Sequence, residues 1–202
     1  MTIRRGSTYG EPGRLPADGL VVDTDAGLRQ IVLASRARGE RPAVVGLIGG
    51  DLCRTLGGTG DADRLRSDDA MTMPVDLGVA VLDGVPTVFV AHLVTGRPFR
   101  RSFTAVMNAQ WLGDLDLGPR SHPGDGLLDI TTGSLGRRTR RTALRRARTG
   151  THLPHPALTT ARSTTHQFDF DDPVAVSIDG IVTGVARSIL VSVEPDALTV
   201  VI

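Results

Sequence analysis

The sequence predicts a small α/β portion followed by a longer β-rich portion. Between Leu20 and Leu56, short apolar runs alternate with apolar residues at helical spacing, an order of strand, helix, strand, helix that calls for parallel strands. Beyond Met73-Pro74 the apolar residues alternate in part and are punctuated by turn residues. The 24 glycines, 12 prolines and 3% aromatics imply many turns and a core of Val, Leu, Ile and Ala.

Residues 1–18 are polar and carry Gly6, Gly10, Pro12, Gly13 and Pro16, the composition of a mobile or irregular leader. Leu20-Val21-Val22 reads as a buried strand. Leu28, Ile31, Val32 and Ser35 share one helix face that ends at Gly39. Residues 43–48 form a second apolar strand, and Leu52, Cys53 and Leu56 begin a short helix closed by Gly57-Gly58. Polar residues 59–69 then lead to a boundary near Met73-Pro74. Asp83-Gly84 is a hairpin turn between strands at 75–82 and 87–94. Further strands are expected at 102–109, 127–132, 157–161, 167–170, 174–178, 188–193 and 198–202, with a helix over 137–148 that carries seven arginines.

Composition also limits function. The chain of 202 residues has 23 basic and 22 acidic side chains, a formal charge of +1, and 40% hydrophobic residues, which fits a folded domain rather than disorder, collagen or a coiled coil. Every basic residue is Arg, read first as the codon usage of a GC-rich genome. Balanced charge and the lack of a basic strip interleaved with aromatics argue against nucleic acid as partner. Cys53 is the single cysteine, and Arg4 and Arg5 precede no secretory apolar stretch, so a reducing cytoplasm is the expected location. No apolar run approaches the roughly 20 residues that span a bilayer, so any membrane contact is peripheral.

The most specific residues are Asn108-Ala109-Gln110-Trp111-Leu112-Gly113, Pro119-Arg120-Ser121 and Asp125-Gly126-Leu127-Leu128-Asp129-Ile130, followed by Gly150-Thr151-His152-Leu153-Pro154-His155-Pro156, Ile178-Asp179-Gly180 and Val193-Glu194-Pro195-Asp196-Ala197-Leu198. In this order they resemble the bacterial diacylglycerol kinase and lipid kinase family, related to sphingosine kinases, over roughly residues 20–202. The resemblance implies a leader at 1–19, a shortened α/β nucleotide-binding-like domain at 20–72, a β-sandwich-like domain at 74–193, and a closing strand at 194–202 that returns to the first domain. Ligands would then sit between the two domains.

The family's G-G-D-G-T phosphate loop is matched by Asp23-Thr24-Asp25-Ala26-Gly27, which keeps only the middle aspartate. Its G-T-x-N-D is matched by Leu47-Ile48-Gly49-Gly50-Asp51, which keeps the last aspartate, while F-x-N reads Phe89-Val90-Ala91 and D-G-E reads Asp179-Gly180-Ile181. ATP binding should suffer from these losses. Asp25, Gly49, Gly50 and Asp51 are the candidate cofactor-binding residues. Gly49-Gly50 ahead of a helix could bind a small anion, and Asp51 equally reads as a helix N-cap.

Asp125 matches the aspartate that acts as general base on the acceptor hydroxyl in the resembled kinases, although Asp125-Gly126 also reads as a simple turn. Where the family commonly has an acidic residue before it, this chain has Gly124, which counts against a metal-assisted mechanism. His122, in a proline-bounded loop, is a second acid/base candidate or a solvated loop histidine. His152 and His155 have the spacing of a metal pair but no nearby third ligand, and read as structural; no metal site is expected.

The arginine-rich helix could meet anionic lipid headgroups or a phosphorylated partner. It reads more simply as a solvated face, partly neutralised by Asp169, Asp171 and Asp172, because it lacks a Trp, Phe and Leu edge. Three functions compete. The first is a lipid-kinase relative without ordinary ATP chemistry that binds a lipophilic small molecule, or transforms it by acid/base chemistry, and needs no cofactor. The second is an active kinase using ATP and Mg, with Asp25 or Asp51 near the metal. The third is a non-enzymatic partner of another enzyme; a homo-oligomer is compatible with each.

Overall fold

The computed structural model describes residues 9–99 and 102–202. Arg4, Arg5 and the first part of the expected leader lie outside the described residues. Among the described residues, eleven strands join one sheet that folds back on itself, and a two-stranded ribbon stands apart.

The α/β end forms in the order the spacing predicts, but the strand expected to be buried at Leu20–Val22 is not: Leu20 is exposed and Val21 and Val22 are half-buried. Strand β1 (Glu11–Pro12) pairs with the start of a long strand at Thr72 and Met71, so the chain from Tyr9 onward is tied down. Leu15 packs with Leu65, Ala70 and Val201. Strand β2 (Leu20–Val22) leads into helix α1 (Asp25–Ala37), whose first turn is capped by Thr24 Oγ1, which accepts from Gly27 N at 3.2 Å. Strand β3 (Val45–Leu47) pairs parallel with β2, and helix α2 (Gly50–Leu56) ends on Gly57 in the left-handed region. Leu28 and Val32 of α1 pack with Leu52, Val75, Leu77 and Val200 in the core beneath the two helices.

Strand β4 (Met71–Leu82) runs through Met73-Pro74 without a break and turns at Asp83-Gly84 (φ 47° and 86°) into β5 (Val85–Phe89), a turn whose backbone twist matches that of its strands. The strand expected over 87–94 is divided: β5 stops at Phe89 and β6 (His92–Gly96) starts afresh. The reason is Asp179, whose carboxylate accepts from Val90 N at 3.0 Å, Ala91 N at 2.9 Å and His92 N at 3.1 Å, drawing the backbone out of the ladder. Strand β7 (Phe103–Met107) follows, then the ribbon β8 (Trp111–Leu112) and β9 (Leu115–Asp116), β10 (Leu128–Gly133), α3 (Arg137–Ala147) and β11 (Leu158–Ser163).

The remaining strands are longer than expected. Segments 167–170 and 174–178 are one strand, β12 (Thr165–Ile178), with a register shift between Asp169 and Val174 that accommodates Pro173. Segments 188–193 and 198–202 likewise fuse into β13 (Ile181–Val201), which shifts register between Glu194 and Leu198 around Pro195. A proline donates nothing to the ladder, and each bulge removes the need for it to do so. Strand β13 pairs antiparallel with β12 and β4, and parallel with β3 at Val200 and Val45, so the closing strand does return to the α/β end. Phe89, Leu93, Val106, Leu128, Val176, Ile178, Ile189 and Val191 fill the space between the folded-over faces of the sheet, the sandwich-like core. Among the described residues no helix is long and apolar enough to cross a membrane.

Candidate functional site

Asp25 opens α1 and is buried, 8% exposed. Its carboxylate accepts from Asp51 N at 2.7 Å and Leu52 N at 3.1 Å, the open N–H groups of α2. The N-cap position of α2 is Gly49, which has no side chain to offer, so Asp25 does that work from the neighbouring helix. Asp51, expected as the N-cap, lies in the first turn instead. Its carboxylate accepts from Gly113 N at 2.9 Å and pairs with His92 Nε2 at 2.9 Å. The β8–β9 ribbon is held over α2 by this bond, by Arg54 donating to Gly113 O at 2.9 Å, and by the Arg54 guanidinium stacked 3.4 Å from the Trp111 ring centre. Beneath them Asp179 receives its three backbone N–H bonds, with Arg29 Nε 3.9 Å away.

These groups titrate together. Burial pushes Asp25 up to about 6, against the pull of its two backbone bonds. Burial opposes the charge on Asp51 as well, but the bonds from His92 and Gly113 outweigh it and hold the carboxyl below its ordinary range. Burial also works against protonation of His92, and its bond to Asp51 with the charges of Asp179, Asp51 and Asp25 reverses the balance, so it stays protonated above its ordinary value.

Two glycines bring α2 close to the loop that precedes α1. A Cβ at Gly49 would stand 2.3 Å from Asp23 O, and one at Gly50, at φ +90°, 2.6 Å from Asp25 Oδ1. Their lack of side chains lets α2 close on the loop between Asp23 and Asp25. Two of the N–H groups that open α2, those of Asp51 and Leu52, are thus taken by a carboxylate. Asp25, Asp51 and His92 do bring one metal-capable atom each within 4.8 Å of one another. A divalent cation held by these three atoms would need His92 Nε2 without its proton and in place of its bond to Asp51.

The other candidates meet elsewhere. Asp125 makes an ion pair with Arg162 and accepts from Leu127 N at 3.0 Å; burial raises its pKa and Arg162 opposes the rise. Arg162 also reaches Asp129, at 3.2 Å. Asp76, 1% exposed, holds the turn from below, accepting from Gly126 N at 2.7 Å and Asp196 N at 2.9 Å. Asp76 is likewise raised by burial. His122, lowered by burial, stands edge-on to Tyr9 with ring centres 4.6 Å apart. Tyr9 donates to Pro74 O, and burial and the charges of Asp76 and Asp125 raise its pKa. Asn108, from the segment that begins the resemblance, ties the two places together by donating to Asp76 O at 2.9 Å and Val90 O at 2.8 Å.

Asp25, Gly49, Gly50 and Asp51 are thus brought together, as are Asp125 and His122, in two separate clusters. His92, Asp76, Tyr9 and Gly113 were not singled out by sequence reasoning. His92 sits in an apolar strand and Asp76 follows a strand-like Val75, so neither has a local signature. His152 is buried against Phe99, and His155 Nδ1 accepts from Ala157 N at 3.1 Å, in keeping with structural roles.

A recess of about 650 Å³ opens beside these elements, lined by Pro119, Leu153, Pro154, Pro156 and Leu158, with Arg120, His155 and Thr160 among its polar groups. The expected ligand position was between the two domains; this recess is lined by the β-rich part alone. Asp169, expected to neutralise α3, is bonded to Gln167 at 3.0 Å. No described carboxylate makes an ion pair with an arginine of α3.

Residues 76–202 match the family model described as the YegS C-terminal NAD kinase beta sandwich-like domain. Among solved structures the chain is similar to two from Bacillus anthracis str. Sterne whose descriptions propose a diacylglycerol kinase, each 14% identical over 91% of this chain and 77% of the other, with TM-scores of 0.66 and 0.68. A third, described as a diacylglycerol kinase from the same organism, is 14% identical over 79% and 66%, with a TM-score of 0.56. No match emerges among curated proteins.

Proposed function

Because the chain belongs to the family described as the YegS C-terminal NAD kinase beta sandwich-like domain, we propose that it is a lipid-kinase-fold protein without ordinary ATP chemistry that binds a lipophilic small molecule. The observation that carries this reading is the capping of α2 by Asp25, with Gly49 and Gly50 packed against Asp23 and Asp25. An anion-binding helix terminus needs free N–H groups, and two of those that open α2 are occupied by a carboxylate already. The apolar recess beside Leu153 and Leu158 supports the lipophilic character of the ligand.

Calorimetry with Mg-ATP tests the first half: no heat and no thermal shift at millimolar nucleotide is expected, while saturable binding overturns it. Native mass spectrometry tests the second, the expected result being a retained lipophile in protein purified from more than one host. A protein that arrives empty from every host counts against it.

A second reading, acid/base chemistry on that ligand, is favoured by the approach of Asp125, Asp76, His122 and Tyr9 around one turn. Asp125 keeps Oδ1 on Leu127 N but turns Oδ2 to a side chain, and that oxygen takes a proton once Arg162 is displaced. With an identified substrate, Asp125→Asn should abolish turnover; unchanged turnover leaves Asp125 as a turn residue.

A further inference from the structure

Helix α3 carries six arginines, a seventh, Arg148, caps its C-terminus, and none of these residues is acidic. Ala143 and Ala147 face the core, packing near Leu158, and leave the rest of the helix surface to solvent. Arg137, Arg141, Leu144 and Arg148 fall at i, i+4, i+7 and i+11, one stripe along the flank of the buried alanines. All four are exposed, Leu144 to 39%. With no described carboxylate pairing any of these guanidinium groups, the charge on this stripe is uncompensated, although the whole chain carries only +1. Two residues after Arg148 the chain reaches Gly150, a wall of the apolar recess, and then Leu153, another.

We propose that the Arg137, Arg141, Leu144 and Arg148 stripe docks the protein on an anionic phospholipid bilayer, with the mouth of the recess turned to the same surface. Charge complementarity selects the occupant: the stripe offers cations with an apolar side chain between them, and a bilayer interface presents anions and hydrocarbon side by side. A nucleic acid would offer the anions alone, and the stripe has no aromatic ring on which a base could stack. Docking rests on the reading above only for the source of the cargo; the contact itself stands on the helix.

Sedimentation with vesicles of phosphatidylcholine, alone or with about one third phosphatidylglycerol, tests this. Binding is expected to the mixed vesicles only, and to fall steeply as salt rises from about 0.1 to 0.5 M. Each arginine removed should weaken it about fivefold, so that R137Q/R141Q/R148Q loses roughly a hundredfold with its melting temperature unchanged. Leu144→Gln should cost about tenfold and leave the salt dependence as it was. Equal binding by the triple variant, equal binding to phosphatidylcholine alone, or no binding to the mixed vesicles overturns the proposal. So does polyuridine binding that the triple variant loses while vesicles stay unbound, which would make the stripe a nucleic-acid surface. Vesicle binding by a protein that carries no lipophile leaves docking standing and removes the cargo reading; a lipophile-loaded protein indifferent to vesicles does the reverse.

Discussion

At the α/β end, Asp25, Asp51 and Asp179 all face backbone N–H groups of neighbouring segments, and Asp51 also faces His92. Around the Asp125 turn, Asp76 is used in the same way, whereas Asp125 keeps one oxygen on Leu127 and turns the other to Arg162, a side chain about one third exposed. The difference lies in what can be displaced. Backbone donors held by a buried carboxylate are fixed by the fold and stay closed to a ligand, while an ion pair at the rim can open at little cost.

The strongest way to break the comparison is Asp179→Ala. It strips the acceptor from three buried N–H groups and should cost about 3–5 kcal/mol in denaturant unfolding. A loss below 1 kcal/mol would mean that the closed end is not held by its carboxylates.

Next comes pH. Asp25 has an ordinary value of 3.8 and rises to about 6 in the fold, so the folded state holds its proton more tightly in that window. Its contribution is full below about pH 4 and is lost as pH rises through 6, a fall of up to about 3 kcal/mol. His92, also raised, acts in the same sense at higher pH, its contribution being present below 6.5 and lost as pH rises through its folded value. Asp51 works oppositely, losing its contribution only as pH falls below the ordinary carboxylate range. Denaturation midpoints measured from pH 4 to 6.5 should therefore decline in the parent and decline less steeply in Asp25→Asn, where the raised carboxyls of Asp76, Asp125 and Asp179 still act in the same sense.

Asp76→Ala should cost about 2 kcal/mol, because the N–H groups of Gly126 and Asp196 lose their acceptor. Calorimetric melting would register it. The smallest effect belongs to Asp125→Asn, at most about 1 kcal/mol, since it weakens a partly exposed pair. If Asp125→Asn proved as damaging as Asp179→Ala, the two regions would not differ after all.

Local chemistry made much of the fold legible. Leu28, Ile31, Val32 and Ser35 on one helix face, Gly57 after another, and Asp83-Gly84 between apolar runs act within a few residues of themselves, and each produced the element expected. Pro173 and Pro195 misled because a proline inside a strand resembles an end, whereas a bulge lets both strands continue. The sites were legible in proportion to sequence distance. Asp25 and Asp51 stand at helix starts and could be picked out; His92 meets Asp51 from 41 residues away, and Asp179 reaches Val90 across 89. Asp179-Gly180 announces a hairpin, with φ of 49° and 81°, and nothing local announces that its carboxylate divides a distant strand.

Strand β13 runs for 21 residues and is hydrogen-bonded first to β12 and β4, then to β3. A hinge between the α/β end and the rest would have to sever a continuous ladder, so admission of any guest falls to surface segments such as the Trp111–Asp116 ribbon and the chain around Pro154. Amide exchange along the spine should accordingly be slow on both sides of the bulge, from Ile189 to Val193 and from Leu198 to Val201, with both ends of the molecule melting as one cooperative body.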